Sequence, residues 1–214
     1  MIEWHAQILR PAQKNLLRRA CPFLSPRGYF LAGETAIALH LGHRRSADLD
    51  WFTAGEMGDS EAFAASLLSA LPGFCKRTLA KGTLHGVDVG VKVGFLEYRY
   101  PLLAPLETFG ECGCRIASLD DIAAMKLSAI AQRGTKRDFV DIYALALKHR
   151  PLADMLRLYK KKFGTDEIGH VLTALAYFDD ADAQRMPPLI WAVKWKDVKS
   201  SIRDWVNHVT EQPE

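Results

Sequence analysis

The sequence predicts an α+β protein: a mixed α/β lobe with a small mixed sheet over residues 1–115, followed by a helical lobe over residues 116–214. Three observations carry this prediction. Residues 74–98 are rich in β-branched and apolar side chains, and Val87–Leu96 alternates with period two, as paired strands with one buried face do. From Ser118 onward apolar positions recur at helical spacing, broken by turn residues such as Gly134-Thr135 and Pro151. Between a polar turn at Gly33-Glu34-Thr35 and a later helix, the run Ala47-Asp48-Leu49-Asp50-Trp51-Phe52 alternates like a half-buried strand.

The elements follow in order. Pro11 opens a helix through residue 23, with Leu16, Leu17, Ala20 and Phe23 at helical spacing. Tyr29-Phe30-Leu31 is a short apolar strand ended by Gly33, and Thr35 to Leu41 is a helix closed by Gly42. His43 to Ser46 is a loop and residues 48–52 are the acidic strand. Asp59 or Ser60 caps a helix that runs to Leu71 and stops at Pro72-Gly73. Residues 74–79 and 83–85 are strands, and Val87–Leu96 supplies a hairpin in which Val91, Val93 and Phe95 share a face. Residues 99–110, with two prolines, form a connecting loop. Ser118 caps a long helix whose first turn holds Asp120 and Asp121; further helices cover 136–148, the stretch from Pro151, 165–177 and 195–209, with a loop over 179–188.

Composition limits the function classes. The chain is 49% hydrophobic and 25% charged, ordinary for a globular protein with a buried core. Its net charge of +3 permits nucleic-acid binding without arguing for it. Lys148, His149, Arg150, Arg157, Lys160, Lys161 and Lys162 form a basic cluster that either tracks phosphates or is a solvated helix face. Cys21, Cys75, Cys112 and Cys114 do not form a disulfide framework, and Cys112-Gly-Cys114 has no second Cys or His pair at zinc-site spacing. No flavin or nicotinamide cofactor is expected. The first residues lack signal-peptide regions and no apolar run is long enough to span a bilayer, so a cytoplasmic protein without a membrane partner is expected.

The chemistry centres on Asp48 and Asp50. Two apart on a strand, their carboxylates share a face while Leu49 points into the core. Mg²⁺ commonly takes one or two carboxylates and completes its shell with substrate phosphates. Gly33 lets backbone approach a phosphate, amides at the start of the next helix favour anions, and the Thr35 hydroxyl is a further donor. An ordinary strand-to-helix turn is the plain alternative there. Lys126 sits among Ile122, Ala123, Met125, Leu127 and Ile130, with Arg133 two turns on; by itself such a lysine snorkels outward. Arg137 and Asp141 stand at i,i+4 spacing and suit a salt bridge.

Two long blocks, Phe30–Thr53 and Ser118–Leu145, resemble the AbiEii/AbiGii-type toxin nucleotidyltransferases in order and separation. The first holds Gly33-Glu34-Thr35, Arg44, Ser46, Asp48 and Asp50; the second holds Lys126, Arg133, Arg137, Asp138 and Asp141. The resemblance covers roughly residues 20–147 well and implies a polymerase-β-like nucleotidyltransferase lobe. It also implies Mg²⁺ chemistry, with two ions, on a nucleoside triphosphate and transfer to tRNA, another RNA or a protein hydroxyl. A cognate antitoxin protein and a toxin–antitoxin or phage-defence role come with it. By the same resemblance Asp48 and Asp50 hold metal, and Lys126 meets the triphosphate and is oriented by Asp138, so the helical lobe contributes to the site. Gly33, Thr35, Arg44, Ser46, Arg133 and Arg137 contact nucleotide; for Arg44, neutralising nearby carboxylates is the equal alternative.

Two positions depart from the pattern. Glu34 replaces the second glycine of the phosphate turn, and Gly94 stands where many nucleotidyltransferases carry a third, acceptor-activating Asp. Asp88 and Glu97 are nearby carboxylates, with Asp88 expected in the hairpin turn. The competing class is therefore a catalytically degenerate nucleotide-binding or protein-interaction module on the same fold.

Overall fold

A computed structural model describes residues 3–110 and 112–211. The chain divides into two compact units. One runs to His40 and resumes over Ser46–Ser118; the other takes Leu41–Arg45 and the chain from Leu119 onward. A single break near residue 115 was the expectation; instead the short segment Leu41–Arg45 belongs to the helical unit.

The first unit is built on a seven-stranded mixed sheet, in the order β3-β4-β5-β2-β1-β7-β6. Its strands are β1 (Tyr29–Ala32), β2 (Leu49–Thr53), β3 (Phe74–Ala80), β4 (Thr83–Asp88), β5 (Val91–Glu97), β6 (Glu107–Phe109) and β7 (Cys114–Ile116). β2 is central: it pairs antiparallel with β1 and parallel with β5. Helices α1 (Pro11–Leu24), α2 (Gly33–Leu41) and α3 (Ser60–Ala70) accompany the sheet. Along β2, Leu49, Trp51 and Thr53 are buried while Asp50 and Phe52 are half-buried, as strand alternation requires. Phe95 of β5 is fully buried and stands 5.5 Å from the Trp51 ring, 5.6 Å from Phe63 and 6.1 Å from Phe74. Such aromatic packing contributes beyond its buried area.

β6 falls where the sequence reads as loop, and β7 in the stretch after it, to which the sequence assigned no element. They are three residues each, too short to show a period, and exist because β7 pairs with β1 through Leu31 and Ile116. The β4–β5 turn is Val89-Gly90, both at positive φ, the two-residue geometry that matches strand twist. Asp88 therefore ends β4 and is fully buried. It stands at the first position of the turn, as expected, and also forms an ion pair with Arg19 of α1. Cys21 of α1 also meets β7: a hydrogen bond with Cys114, together with burial, pushes its thiol pKa up and keeps it neutral.

The second unit is helical: α4 (Leu119–Arg133), α5 (Lys136–Lys148), α6 (Leu152–Phe163), α7 (Gly169–Ala176), the short α8 (Asp179–Asp182) and α9 (Trp195–Glu211). α8 lies in the stretch expected to be loop. α5 buries Phe139, Ile142 and Leu145 together with Asp138 and Asp141. The basic cluster is a largely paired helix face. Arg150 is 2.7 Å from Asp120, Arg157 2.6 Å from Asp154, and the buried Lys162 2.6 Å from Asp121.

Because the Asp88 carboxylate is buried and Arg19 is partly exposed, the two ends of this pair are unequal. Arg19→Ala strands a buried charge and is expected to cost about 3 kcal/mol in urea unfolding. Asp88→Asn, which keeps the shape and releases Arg19 to water, should cost less. Equal, negligible costs would show that the pair does not hold α1 to the sheet.

Candidate active site

The carboxylate pair is positioned by the sheet. Asp48 directly precedes β2, Asp50 lies on it, and both are half-buried and open on a cleft of about 590 Å³. Arg77, His85, Val87, Lys92 and Val93 also line this cleft. Gly33 begins α2 at φ +67°, a conformation that favours glycine, and a Cβ placed there would stand 3.4 Å from Asp50 Oδ2. The turn expected to approach phosphate thus abuts the carboxylate pair. Thr35 is buried and its hydroxyl donates to the Asp48 carbonyl. It therefore fixes the chain leading into β2, a role the sequence did not show. Ser46 accepts a bond from the Gln13 amide at its carbonyl, 3.1 Å away, while its buried hydroxyl has no hydrogen-bond partner among the described residues.

Gly94 faces the same point. It is the Cα partner of Asp50 on the parallel strand β5, and of His85 on β4. A Cβ on Gly94 would lie 2.6 Å from Asp50 Oδ1 and 3.1 Å from His85 Nδ1. A side chain at residue 94 would therefore stand against Asp50, and both nearby carboxylates are engaged elsewhere. Asp88 is held by Arg19, and Glu97 accepts from the Met57 amide at 2.6 Å and from Arg99. His85, which the sequence reading did not single out, is the titratable neighbour; only the strand register reveals it.

Among the described residues no group of three or more His, Cys, Asp and Glu side chains is arranged to hold a metal by itself. Two half-buried carboxylates on one strand face still fit Mg²⁺, whose shell is ordinarily completed by water and substrate phosphate.

The helical unit holds the second set of residues. Asp141 is fully buried at its centre. Arg44 forks onto it, Nε 2.7 Å from Oδ1 and Nη2 2.8 Å from Oδ2; His43 Nε2 lies 2.8 Å from Oδ1 and Lys126 Nζ 2.6 Å from Oδ2. Lys126 is also 3.1 Å from Asp138 Oδ1, and Asp138 in turn accepts two bonds of 2.9 Å from Arg133 and one of 2.6 Å from the Thr135 hydroxyl. Lys126 does not snorkel: it is buried and held from both sides. Arg44 is likewise buried, and the carboxylate it pairs with is Asp141 rather than the neighbouring Asp48 and Asp50 that the sequence suggested. Arg137 is exposed on α5, whereas Asp141, its expected i,i+4 partner, is bonded to Arg44, His43 and Lys126. Lys126, Arg44 and Arg133 thus converge on two carboxylates, Asp138 and Asp141.

Burial opposes ionisation of Asp141, but Arg44 and Lys126 outweigh it and hold the pKa well below the usual carboxylate range. Asp138 is depressed by Lys126 and Arg133 against the same opposition. His43 is shifted the other way: burial lowers its pKa and outweighs the Asp141 hydrogen bond, so it stays neutral. Depressed carboxylates give stability that is present above the unfolded pKa of about 3.9 and is lost as pH falls below it. A buried neutral histidine adds a loss that begins as pH drops below about 6.5, where the unfolded chain takes the proton first. Melting temperature should therefore decline gently below about pH 6.5 and steeply below about pH 4. Asp141→Asn should cost about 3–5 kcal/mol at neutral pH and flatten the acid limb. An unchanged acid limb would show that Asp141 is not its source.

Comparison with known proteins agrees with this architecture. The sequence model of the nucleotidyl transferase AbiEii toxin family, of type IV toxin–antitoxin systems, matches residues 87–205, the stretch that carries Lys126, Arg133, Asp138 and Asp141. An uncharacterized protein of Aquifex aeolicus is 36% identical over 174 residues, 81% of this chain and 84% of that protein. A putative nucleotidyltransferase from H. pylori superposes with a TM-score of 0.59 at 17% identity, covering 95% of this chain and 96% of its own. MenT4, a nucleotidyltransferase toxin of Mycobacterium tuberculosis, superposes with a TM-score of 0.55 at 16% identity, covering 97% of this chain and 89% of its own. The two solved structures share the fold, and on the family match the chain belongs to the AbiEii toxin nucleotidyltransferases.

Proposed function

We propose that this protein is a Mg²⁺-dependent enzyme that transfers a nucleotide from a nucleoside triphosphate to an acceptor hydroxyl, on RNA such as tRNA or on a protein, as the toxin partner of a cognate antitoxin. The observation that carries this reading is the carboxylate pair on one face of β2, opening on a cleft and flanked by the Gly33 turn. Asp48 and Asp50 would hold the metal, with two ions in the two-metal form of the chemistry. Bound there, Mg²⁺ neutralises phosphate charge and stabilises the entering and leaving oxygens of in-line displacement. Gly33 admits the donor's phosphates to the α2 amides, and the positive end of that helix favours them. Thr35 holds the backbone ahead of β2 so that the pair keeps its aim. By the family resemblance the counter-charge on the triphosphate falls to Lys126, whose ammonium Asp138 and Asp141 orient within the helical unit.

Gly94 favours a second reading. No carboxylate side chain of β5 faces Asp50, so an acceptor hydroxyl has no carboxylate base there, and a nucleotide-binding or protein-interaction module without turnover would have the same site. No described helix is long and apolar enough to cross a membrane.

Calorimetry and labelled-nucleotide transfer separate these readings. Mg²⁺ and triphosphate should each tighten the other's binding, and Asp48→Asn with Asp50→Asn should abolish the enhancement without lowering the melting temperature. Unchanged triphosphate affinity in the double variant would reject the metal assignment. Binding without transfer to RNA or protein would favour the module. Gly94→Asp must displace the Asp50 side chain, and it sets three carboxylates together. The variant should be less stable without metal, gain more from Mg²⁺ than the wild type, and transfer at least as fast. A Mg²⁺ response equal to that of the wild type would place the third carboxylate elsewhere.

A further inference from the structure

The sheet order gives the carboxylate pair two unlike sides. β1, leading into the Gly33 turn, lies on one side of β2; β5, β4 and β3 lie on the other. The oxygens of Asp50 divide accordingly, Oδ2 beside Gly33 and Oδ1 beside Gly94 and His85. In-line displacement puts the leaving and entering groups on opposite sides of the reacting phosphorus. If the donor's phosphates sit at Gly33, as in the function proposed above, the acceptor enters from the side of β5, β4 and β3.

That side is basic, and its cations are unspent. Arg77 and Lys92 are exposed, line the same cleft as Asp48 and Asp50, and make no hydrogen bond or ion pair among the described residues. Lys76 and Arg99, also exposed cations of this unit, are engaged. Lys76 is 2.7 Å from Glu61, and Arg99 is 2.9 Å from Glu97. Lys92 is two residues before Gly94 on β5, so the alternation sets it on the Asp50 face. Arg77 lies at the irregularity where the β3–β4 register shifts between Lys76 and Thr78. A bulge of that kind re-aims a side chain, and here adjacent residues diverge, Lys76 to Glu61 and Arg77 to the cleft. Two free cations beside two carboxylates suit a ligand that carries phosphates of its own; a serine or tyrosine hydroxyl of a protein brings none.

We propose that Arg77 and Lys92 form an acceptor-side subsite that grips backbone phosphates of a single-stranded nucleic acid, so that its terminal hydroxyl is presented to the carboxylate pair. This rests on the nucleotidyltransferase reading for its direction of entry, while the strand binding itself can be measured without turnover.

The test is fluorescence anisotropy of a short labelled single-stranded RNA, and of DNA of the same sequence, across a salt series. Arg77→Ala with Lys92→Ala should weaken binding about tenfold at low salt and lower the slope of log affinity against log salt by about 0.7 per cation removed. Melting temperature and calorimetric affinity for Mg²⁺-triphosphate should not change, since both residues are exposed and lie outside the donor machinery. Lys160→Ala with Lys161→Ala removes equal charge elsewhere and should have little effect. A loss for RNA alone would identify the acceptor as RNA; a loss for both strands would assign the subsite to the phosphodiester backbone. The inference is overturned if the Arg77/Lys92 variant binds as the wild type does, if the Lys160/Lys161 variant loses as much, or if the wild type binds neither strand, as a protein acceptor would require. A wild type that binds the strand through Arg77 and Lys92 but no triphosphate would instead overturn the nucleotidyltransferase reading and leave the subsite standing.

Discussion

Much of the first unit depends on the pairing of β2 along both of its edges. β1 fixes it from one side and β5 from the other, residue against residue from Asp50 to Thr53. A slip of one residue would turn Leu49 and Trp51 out to water and drive Asp50 into the core, so the apolar face sets the register and the register presents the carboxylates. The site is a by-product of burial: the energy of placing Trp51 against Phe95 is what aims Asp50 at the cleft. The same pairing brings Gly94 and His85 beside Asp50, since β5 and β4 follow in register.

The helical unit answers a different constraint. Asp141 is buried, and a buried carboxylate is tolerated only if it is paired and hydrogen-bonded. Arg44, His43 and Lys126 supply those partners, and Asp138 repeats the arrangement with Lys126, Arg133 and Thr135. Arg44 comes from the segment Leu41–Arg45, which explains why that stretch belongs to the helical unit although its neighbours in sequence belong to the sheet. A lysine shared by two carboxylates is held in position from both sides, which suits the preorganised role proposed for Lys126.

The β-strands and helices with long periodic patterns were legible because burial imposes the period. α1, α3, α4, α5, α6 and α9 begin and end within a few residues of their sequence signals, and Val91, Val93 and Phe95 do share a buried face. β6, β7 and α8 were not legible: three or four residues carry no period, and β7 exists only because an edge of β1 is there to pair with it. The burial of Asp88 was not legible for a related reason. An aspartate before Val89-Gly90 has the local signature of a turn, while the arginine that holds it lies 69 residues away on α1.

By itself the sequence determined the two-part plan, the strand that carries Asp48 and Asp50, and the residue types that mark the family, because alternation, helical periodicity and motif spacing are local properties of the chain. Tertiary structure alone decided what each side chain is spent on. It committed Arg44 to Asp141 and Thr35 to the Asp48 carbonyl, locked Lys126 between two carboxylates, and left Arg77 and Lys92 open beside the cleft. The physical reason is that hydrogen bonds and ion pairs join residues far apart in sequence, and their partners exist only once the sheet register and the helix packing have brought them together.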